Sequence, residues 1–178
     1  MEYKKYQYQI LCEDKAHYHF VRGWLEAKGV SSRKVSSCGE LPHMGCGKDF
    51  VLKNFANIIA KHHARGLNSN NILIVAIDAD NLSVSEVMQN FTSHENSKVF
   101  FIIPKWSIDT WFHFILNTPN IEPDFELKSY KSQYRKGTHH AKLGKNLVEL
   151  LSSNTPLPPS LQLTNDTIKS KKQKLGLL

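Results

Sequence analysis

Acidic side chains follow two apolar segments of this sequence, at the points where strands are expected to end. The four residues are Glu13, Asp14, Asp78 and Asp80. The first and third residues of an Asp-x-Asp turn can face the same side, so Asp78 and Asp80 can offer two carboxylates to one centre. Clustered carboxylates raise one another's pKa unless a cation neutralises them. Mg²⁺ suits such a cluster, because it binds one or two protein carboxylates and completes its octahedron with water and substrate phosphate.

A fifth acid and three lysines stand near these residues in the sequence. Asp109 lies beyond a third apolar segment, Lys15 follows the first acidic pair, and Lys105 precedes Asp109. Lys48 ends a glycine-containing segment that precedes a predicted helix. Carboxylates that hold metal, combined with cations that contact phosphate, are typical of phosphodiester displacement. An Asp at a strand end is also a common helix cap or turn residue, and this alternative stays open at each position.

The apolar patterns predict the framework that would position these side chains. Strands are predicted at 6–12, 34–37, 71–77 and 98–104. Helical spacing predicts helices at 15–28, 49–65, 83–91, 108–116 and 139–152, and no regular period is visible beyond Pro159. This alternation indicates an α/β fold with a mainly parallel central sheet flanked by helices, Rossmann-like in kind. Such sheets bind ligands beyond the carboxyl ends of their strands, which is where the acids fall.

The acidic strand ends resemble the TOPRIM domain of topoisomerases, primases, repair proteins and nucleases of the overcoming-lysogenization-defect type. The matching positions are Glu13 after the first strand and the pair Asp78 and Asp80 after a later buried strand. The resemblance covers roughly Tyr6–Leu116 and implies that these three residues hold Mg²⁺ or Mn²⁺ for making or breaking phosphodiester bonds. Asp14 departs from the family pattern, since Gly usually stands there and makes the turn more permissive.

Positive charge is concentrated in the C-terminal third of the chain. Residues 128–178 hold ten Lys and Arg against two acids, whereas residues 1–127 hold 13 basic and 14 acidic residues. We therefore predict a TOPRIM-like domain at 1–127 and a basic helical extension and tail at 128–178. A polycation of this kind attracts nucleic acid through counterion release. The predicted contacts are Lys105, Lys128, Lys131, Arg135, Lys136, Lys142 and Lys145. A solubilising tail is the alternative, above all for 169–174.

Composition places the chain among ordinary soluble proteins. It has 178 residues, of which 40% are hydrophobic, and its longest apolar runs are far shorter than the roughly 20 residues of a membrane span. Three cysteines without an export signal predict reduced thiols in a cytoplasmic protein. The spacing of Cys38, His43 and Cys46 fits a structural zinc site poorly. The segment 43–48 is not a P-loop, because Asp49 follows Lys48.

The predicted function is Mg²⁺-dependent, nuclease-like cleavage of DNA or RNA. Glu13 would bind metal or act as general acid or base, Asp109 would complete or orient the site, and Lys15 and Lys48 would contact the transition-state phosphate. Two other classes stay open. One is a non-catalytic subunit that binds nucleic acid or a partner such as a separate ATPase, with a homodimer also open; the other is a flavodoxin-like small-molecule binder. The family resemblance suggests a role in bacterial defence or a mobile element.

Overall fold

Four strands and six α-helices form the fold in a computed structural model, which describes residues 5–39, 47–66, 70–91, 97–117, 137–153 and 155–177. The strands are β1 (Gln7–Cys12), β2 (Val35–Ser37), β3 (Asn71–Ala76) and β4 (Val99–Ile102). The helices are α1 (Lys15–Ala27), α2 (Gly47–Ala64), α3 (Val84–Met88), α4 (Ile108–Asn117), α5 (Gly137–Ser152) and α6 (Pro159–Lys174). Strands and helices alternate through β4, as the apolar patterns predict.

The strands make one parallel sheet in the order β2-β1-β3-β4. This confirms the predicted α/β class with a parallel central sheet. The register pairs Cys12 with Ala76 and Ala76 with Ile102, so β1, β3 and β4 finish level with one another. Residues that directly follow these three strands must therefore meet at one edge of the sheet, which we call the carboxyl edge.

The two faces of the sheet bury two separate apolar clusters. Ile10, Ile74 and Ile102 face α1, α4, α5 and α6. The alternate residues of the same strands, Leu11 and Val75 among them, face α2 and α3. Burial on both faces explains why β3 is a continuous apolar run rather than an alternating one.

Helix α5 packs against α1 with backbone in direct contact. A Cβ atom added at Gly144 would lie 2.0 Å from the carbonyl oxygen of Phe20, and one at Gly23 would lie 2.0 Å from the carbonyl oxygen of Ala141. The two glycines therefore allow a separation that no larger residue permits. Because of this packing, α5 is part of the same core as the sheet.

Helix α6 occupies the part of the chain in which the sequence shows no regular period. Its N-terminus is fixed by Ser160, whose Oγ accepts hydrogen bonds from Nε1 of Trp111 at 2.9 Å and from the backbone N–H of Lys105 at 3.2 Å. Leu161 and Thr164, both on α6 itself, have buried side chains. This stripe is narrow and lies among lysines, so the helical period is weak in the sequence and tertiary packing decides the helix.

Ser83 and Glu86 cap the start of α3. The hydroxyl of Ser83 accepts from the N–H of Glu86 at 3.2 Å, and the Glu86 carboxylate accepts from the N–H of Ser83 at 2.7 Å. This reciprocal pair is a capping box.

Across the described parts of the chain, no helix combines the length and apolar character needed to cross a membrane.

Candidate functional site

Glu13 and Asp78 meet at the carboxyl edge. The backbone N–H of Asp78 donates a hydrogen bond to Oε1 of Glu13 at 2.6 Å. Since β1 and β3 are paired neighbours that end level, the residue after one strand lies beside the turn after the other. The folded chain thus brings together two acids that are 65 positions apart.

A buried histidine connects two of the acids. His17, which is 1% exposed, lies on the first turn of α1, and its Nδ1 is 2.9 Å from Oδ1 of Asp14. Its Nε2 is 2.9 Å from Oδ1 of Asp78. Asp14 also caps α1 by accepting the backbone N–H of His17 at 3.0 Å. His17 is absent from the residues predicted from sequence, although the Asp14-x-x-His17 spacing at a helix start is a usable signal.

The two carboxylates keep His17 charged. Burial by itself lowers the pKa of His17, but the negative charge of Asp78 and the hydrogen bonds to Asp14 and Asp78 hold that pKa well above its ordinary value. The same contact holds the pKa of Asp14 below its ordinary value, against the effect of burial. In its protonated form the imidazolium donates from both nitrogens, one to each acid.

The surroundings of Glu13 raise its pKa, whereas those of Asp14 lower its pKa. Burial, followed by the negative charge of Asp78, raises the pKa of Glu13 to about 7, and Asp80 adds a smaller effect in the same direction. The positive charge of His17 and the hydrogen bond from Asp78 oppose this shift without cancelling it. A carboxyl group with such a pKa can hold or release a proton near neutral pH, as general acids and bases require.

Asp80 occupies an unusual backbone conformation next to Trp106. The φ angles are 53° at Asp80 and 63° at Trp106, both in the left-handed region that few non-glycine residues adopt. The N–H of Asp80 donates to the carbonyl oxygen of Trp106 at 3.1 Å, within an isolated antiparallel bridge. This bridge fixes the turn after β3 against the turn after β4.

Lys48 reaches the same edge from the start of α2. Its Nζ lies 2.9 Å from Oδ2 of Asp80 and 3.5 Å from the carbonyl oxygen of Ala79. The carboxylate of Asp80 is 52% exposed, so solvent screens this ion pair. The structure therefore places Lys48 beside Asp80, and its contact with substrate phosphate stays a prediction.

The other two predicted residues that lie near the edge have different surroundings. The ammonium of Lys105 donates to the carbonyl oxygen of Leu82 at 2.9 Å and lies 4.6 Å from the centre of the Trp106 ring. Lys105 therefore links the turn after β4, where it lies beside Trp106, to the turn after β3 that contains Leu82. Asp109 lies partly buried in the first turn of α4. It takes no part in the contacts described above for Glu13, Asp78 and Asp80.

Other predicted residues lie on helix surfaces or outside the described residues. Lys15 begins α1 and is exposed, Lys142 is exposed on α5, and Nζ of Lys145 lies 3.5 Å from Oε2 of Glu26. Burial raises the pKa values of Cys12 and Cys38 to about 12, so both thiols stay protonated at neutral pH. The predicted residues that lie outside the described ranges are His43, Cys46, Lys128, Lys131, Arg135 and Lys136.

The donor atoms at the carboxyl edge suit a sparsely ligated cation. Within the described ranges, no group of three or more His, Cys, Asp or Glu side chains is arranged to hold a metal ion. Among the described residues, the hydrogen bonds to the carboxylates of Glu13 and Asp78 reach Oε1 of Glu13 and Oδ1 of Asp78. The second oxygen of each carboxylate receives no hydrogen bond from the described residues. Mg²⁺ needs only one or two protein carboxylates, because water and substrate phosphate supply its remaining ligands. Glu13 and Asp78 are the residues at this edge that could supply such carboxylates.

Comparisons of the chain with protein-family models, with curated proteins and with solved structures find no match.

Proposed function

We propose that this protein is a cytoplasmic, TOPRIM-like, Mg²⁺-dependent phosphodiesterase that cleaves nucleic acid. The observation that carries the proposal is the hydrogen bond from Asp78 to Glu13, which joins the acids of β1 and β3 at one edge. The raised pKa of Glu13 supports it, because this partly buried carboxyl group lies beside the negative charge of Asp78 without enough positive charge to ionise at its ordinary pKa. A divalent cation would supply that charge.

Each side chain at the edge has a role in this proposal. Glu13 and Asp78 would hold the cation, with Asp80 beside them, and the cation would activate water and neutralise charge on the phosphate. The second oxygen of Glu13 would either bind the cation or take the proton of the attacking water, because one oxygen cannot do both at once. His17 holds Asp78 in place through Nε2. Lys48 would exchange its exposed partner Asp80 for a phosphate oxygen of the substrate.

The basic C-terminal third would hold the polymer. Lys142 and Lys145 are exposed on α5, which packs on the middle of α1 through Gly23 and Gly144, and Lys145 lies beside Glu26 near the end of α1. Contacts from these lysines to phosphates would position a strand without reading its sequence. The other predicted contacts are Lys105 and, outside the described residues, Lys128, Lys131, Arg135 and Lys136. Formation of a homodimer and a role in bacterial defence or a mobile element belong to the same proposal, whereas a separate ATPase would be the partner of the non-catalytic subunit considered next.

One observation favours a second function, a non-catalytic subunit that binds nucleic acid. Two acids of the edge already have cationic partners within the chain, Asp78 with His17 and Asp80 with Lys48. A site neutralised in this way can be stable without metal. In that case the carboxyl edge would be structural, and only the lysines would contact the polymer.

A cleavage assay separates these functions. The purified protein is incubated with labelled single-stranded DNA, double-stranded DNA and RNA in Mg²⁺, Mn²⁺ or EDTA. The phosphodiesterase proposal expects metal-dependent cleavage that Asp78→Asn and Asp80→Ala abolish and that Glu149→Gln, an exposed acid of α5, retains. Circular dichroism verifies that each variant is folded.

A salt titration of binding is the companion measurement. Salt-dependent binding by the wild type, without cleavage in any metal, supports the non-catalytic subunit. Cleavage that survives in a pure Asp80→Ala preparation contradicts the proposed mechanism. Absence of both binding and cleavage contradicts both functions.

A further inference from the structure

A cavity of about 260 Å³ lies beneath α6, on the face of the sheet that α1 and α5 also cover. Its walls are mainly aromatic and aliphatic and include Phe20, Trp24, Trp111, Leu147, Leu161 and Ile168. An apolar cavity of about 150 Å³ is already large enough to bind benzene. The space under α6 therefore has room for an aliphatic chain or a fused aromatic ring.

Positive charge surrounds this apolar space. Lys28 at the end of α1 and Lys169 and Lys172 on α6 line the cavity together with its apolar walls. No acidic residue is among the described residues that line it. Lysine side chains place an aliphatic stem against apolar surface and keep the ammonium group near water. The cavity thus combines an apolar interior with a cationic rim, which is complementary to a molecule with an apolar body and an anionic head.

The packing around Trp24 gives a second, independent observation. Trp24 is 8% exposed, and its indole N–H has no hydrogen-bond partner among the described residues. A second cavity of about 30 Å³ borders the same side chain and is also lined by Ile168 and Lys172. Protein interiors seldom leave voids larger than a water molecule. Helix α6 therefore covers this part of the core without filling it.

We propose that the cavity under α6 binds a small organic anion with an apolar body, of the class of medium-chain carboxylates. The chain would occupy the space between Trp24 and Trp111, and the carboxylate would lie among Lys28, Lys169 and Lys172. The site is distinct from the carboxyl edge, because its lining includes none of the acids there. The proposal is therefore independent of the proposed phosphodiesterase activity.

Decanoate is the probe that tests this site, with decylammonium and 1-decanol as controls of equal chain length. Binding is measured by equilibrium dialysis and by tryptophan fluorescence, since two of the three tryptophans line the cavity. We expect saturable binding of one decanoate per chain, at least tenfold weaker binding of decanol, and weaker binding still of decylammonium. All measurements use concentrations below the onset of micelle formation.

Two variants locate the bound anion. Leu151→Trp fills the cavity from a partly buried position and should abolish binding. Lys28→Glu combined with Lys169→Glu should weaken decanoate binding roughly tenfold or more, in keeping with the loss of attractive charge. Lys174→Glu, on the same helix but not lining the cavity, is the matched control and should leave binding unchanged. Urea unfolding without ligand verifies that the variants are folded.

Three results would overturn the proposal. Equal binding of decanoate and decylammonium would indicate adsorption without recognition of charge. Unchanged binding by folded Leu151→Trp would place the ligand elsewhere. Absence of saturable decanoate binding would show that the space under α6 is a packing defect, and none of these results bears on cleavage of nucleic acid.

Discussion

Nε2 of His17 lies 2.9 Å from Oδ1 of Asp78, a residue 61 positions further along the chain. The other ring nitrogen lies 2.9 Å from Oδ1 of Asp14, so one buried imidazole joins the start of α1 to the end of β3. This bridge holds Oδ1 of Asp78 at the carboxyl edge, and the second oxygen of that carboxylate receives no hydrogen bond from the described residues. His17 is therefore both a structural link of the core and a positioning residue for the proposed site.

Loss of this imidazole should destabilise the fold. His17→Ala removes a buried cation and leaves Asp78 without its partner, so we expect a loss of roughly 2–4 kcal/mol in the free energy of unfolding, in the range for a broken buried pair. Urea denaturation measures the change. His19→Ala, a less buried position on the same helix, is the control and should cost much less. Equal losses in the two variants would contradict the bridge.

Stability should depend on pH through the two groups whose pKa values are raised. The stabilisation from His17 is fully present below pH 6.5, its unfolded value, and is lost as the pH rises through its higher folded pKa. Glu13 binds its proton more tightly when folded, so stability also falls between pH 4.5 and about 7. Urea unfolding at several pH values should show both declines in the wild type. Glu13→Gln should lack the lower one and His17→Gln the upper one.

Charge at Glu13 can be separated from its hydrogen bond. Glu13→Gln keeps a carbonyl oxygen that can accept from the N–H of Asp78, whereas Glu13→Ala loses this contact. We expect Glu13→Gln to be at least as stable as the wild type at pH 8 and Glu13→Ala to lose about 1–3 kcal/mol. Both should lose metal-dependent cleavage. Cleavage retained by Glu13→Gln would exclude the proposed role in proton transfer.

Lys48 should matter for turnover more than for stability. Its partner Asp80 is half exposed, so removing this ion pair through Lys48→Met should change the free energy of unfolding by no more than about 1 kcal/mol. If Lys48 contacts the substrate phosphate, kcat/KM should fall by roughly a hundredfold, a loss of about 3 kcal/mol in transition-state stabilisation. Lys53→Met, at an exposed position on the same helix, is the control. Equal cleavage rates for the two variants would contradict this role.

The contact between α1 and α5 reverses an ordinary helix rule. Ala in place of Gly stabilises an exposed helix interior by about 1 kcal/mol. At position 144 the added Cβ would lie 2.0 Å from the carbonyl oxygen of Phe20, so Gly144→Ala should instead destabilise the protein by roughly 2 kcal/mol or more. Thermal unfolding measures this effect. A stability equal to the wild type would mean that α5 does not pack on α1 as described.

Sequence patterns were sufficient for the elements that carry strong local signals. Continuous apolar runs predict β3 and β4, and helical spacing predicts α1, α2 and α4, because each pattern reflects burial along the element itself. The residues of α6 carry no comparable local signal. Its buried stripe is narrow, and Ser160 reaches partners on other elements. A helix that depends on tertiary contacts leaves little periodicity in its own residues.

The amino-acid sequence by itself determined the α/β class, the acids at the strand ends and the basic character of the C-terminal third. It could indicate that Glu13 and Asp78 share an edge, because parallel neighbours bring their carboxyl ends together. The tertiary structure decided which atoms meet: the bond from Asp78 to Glu13, the buried bridge through His17, and the cavity under α6. Such contacts depend on strand register and helix packing, which are properties of the whole chain and are not encoded in any local segment.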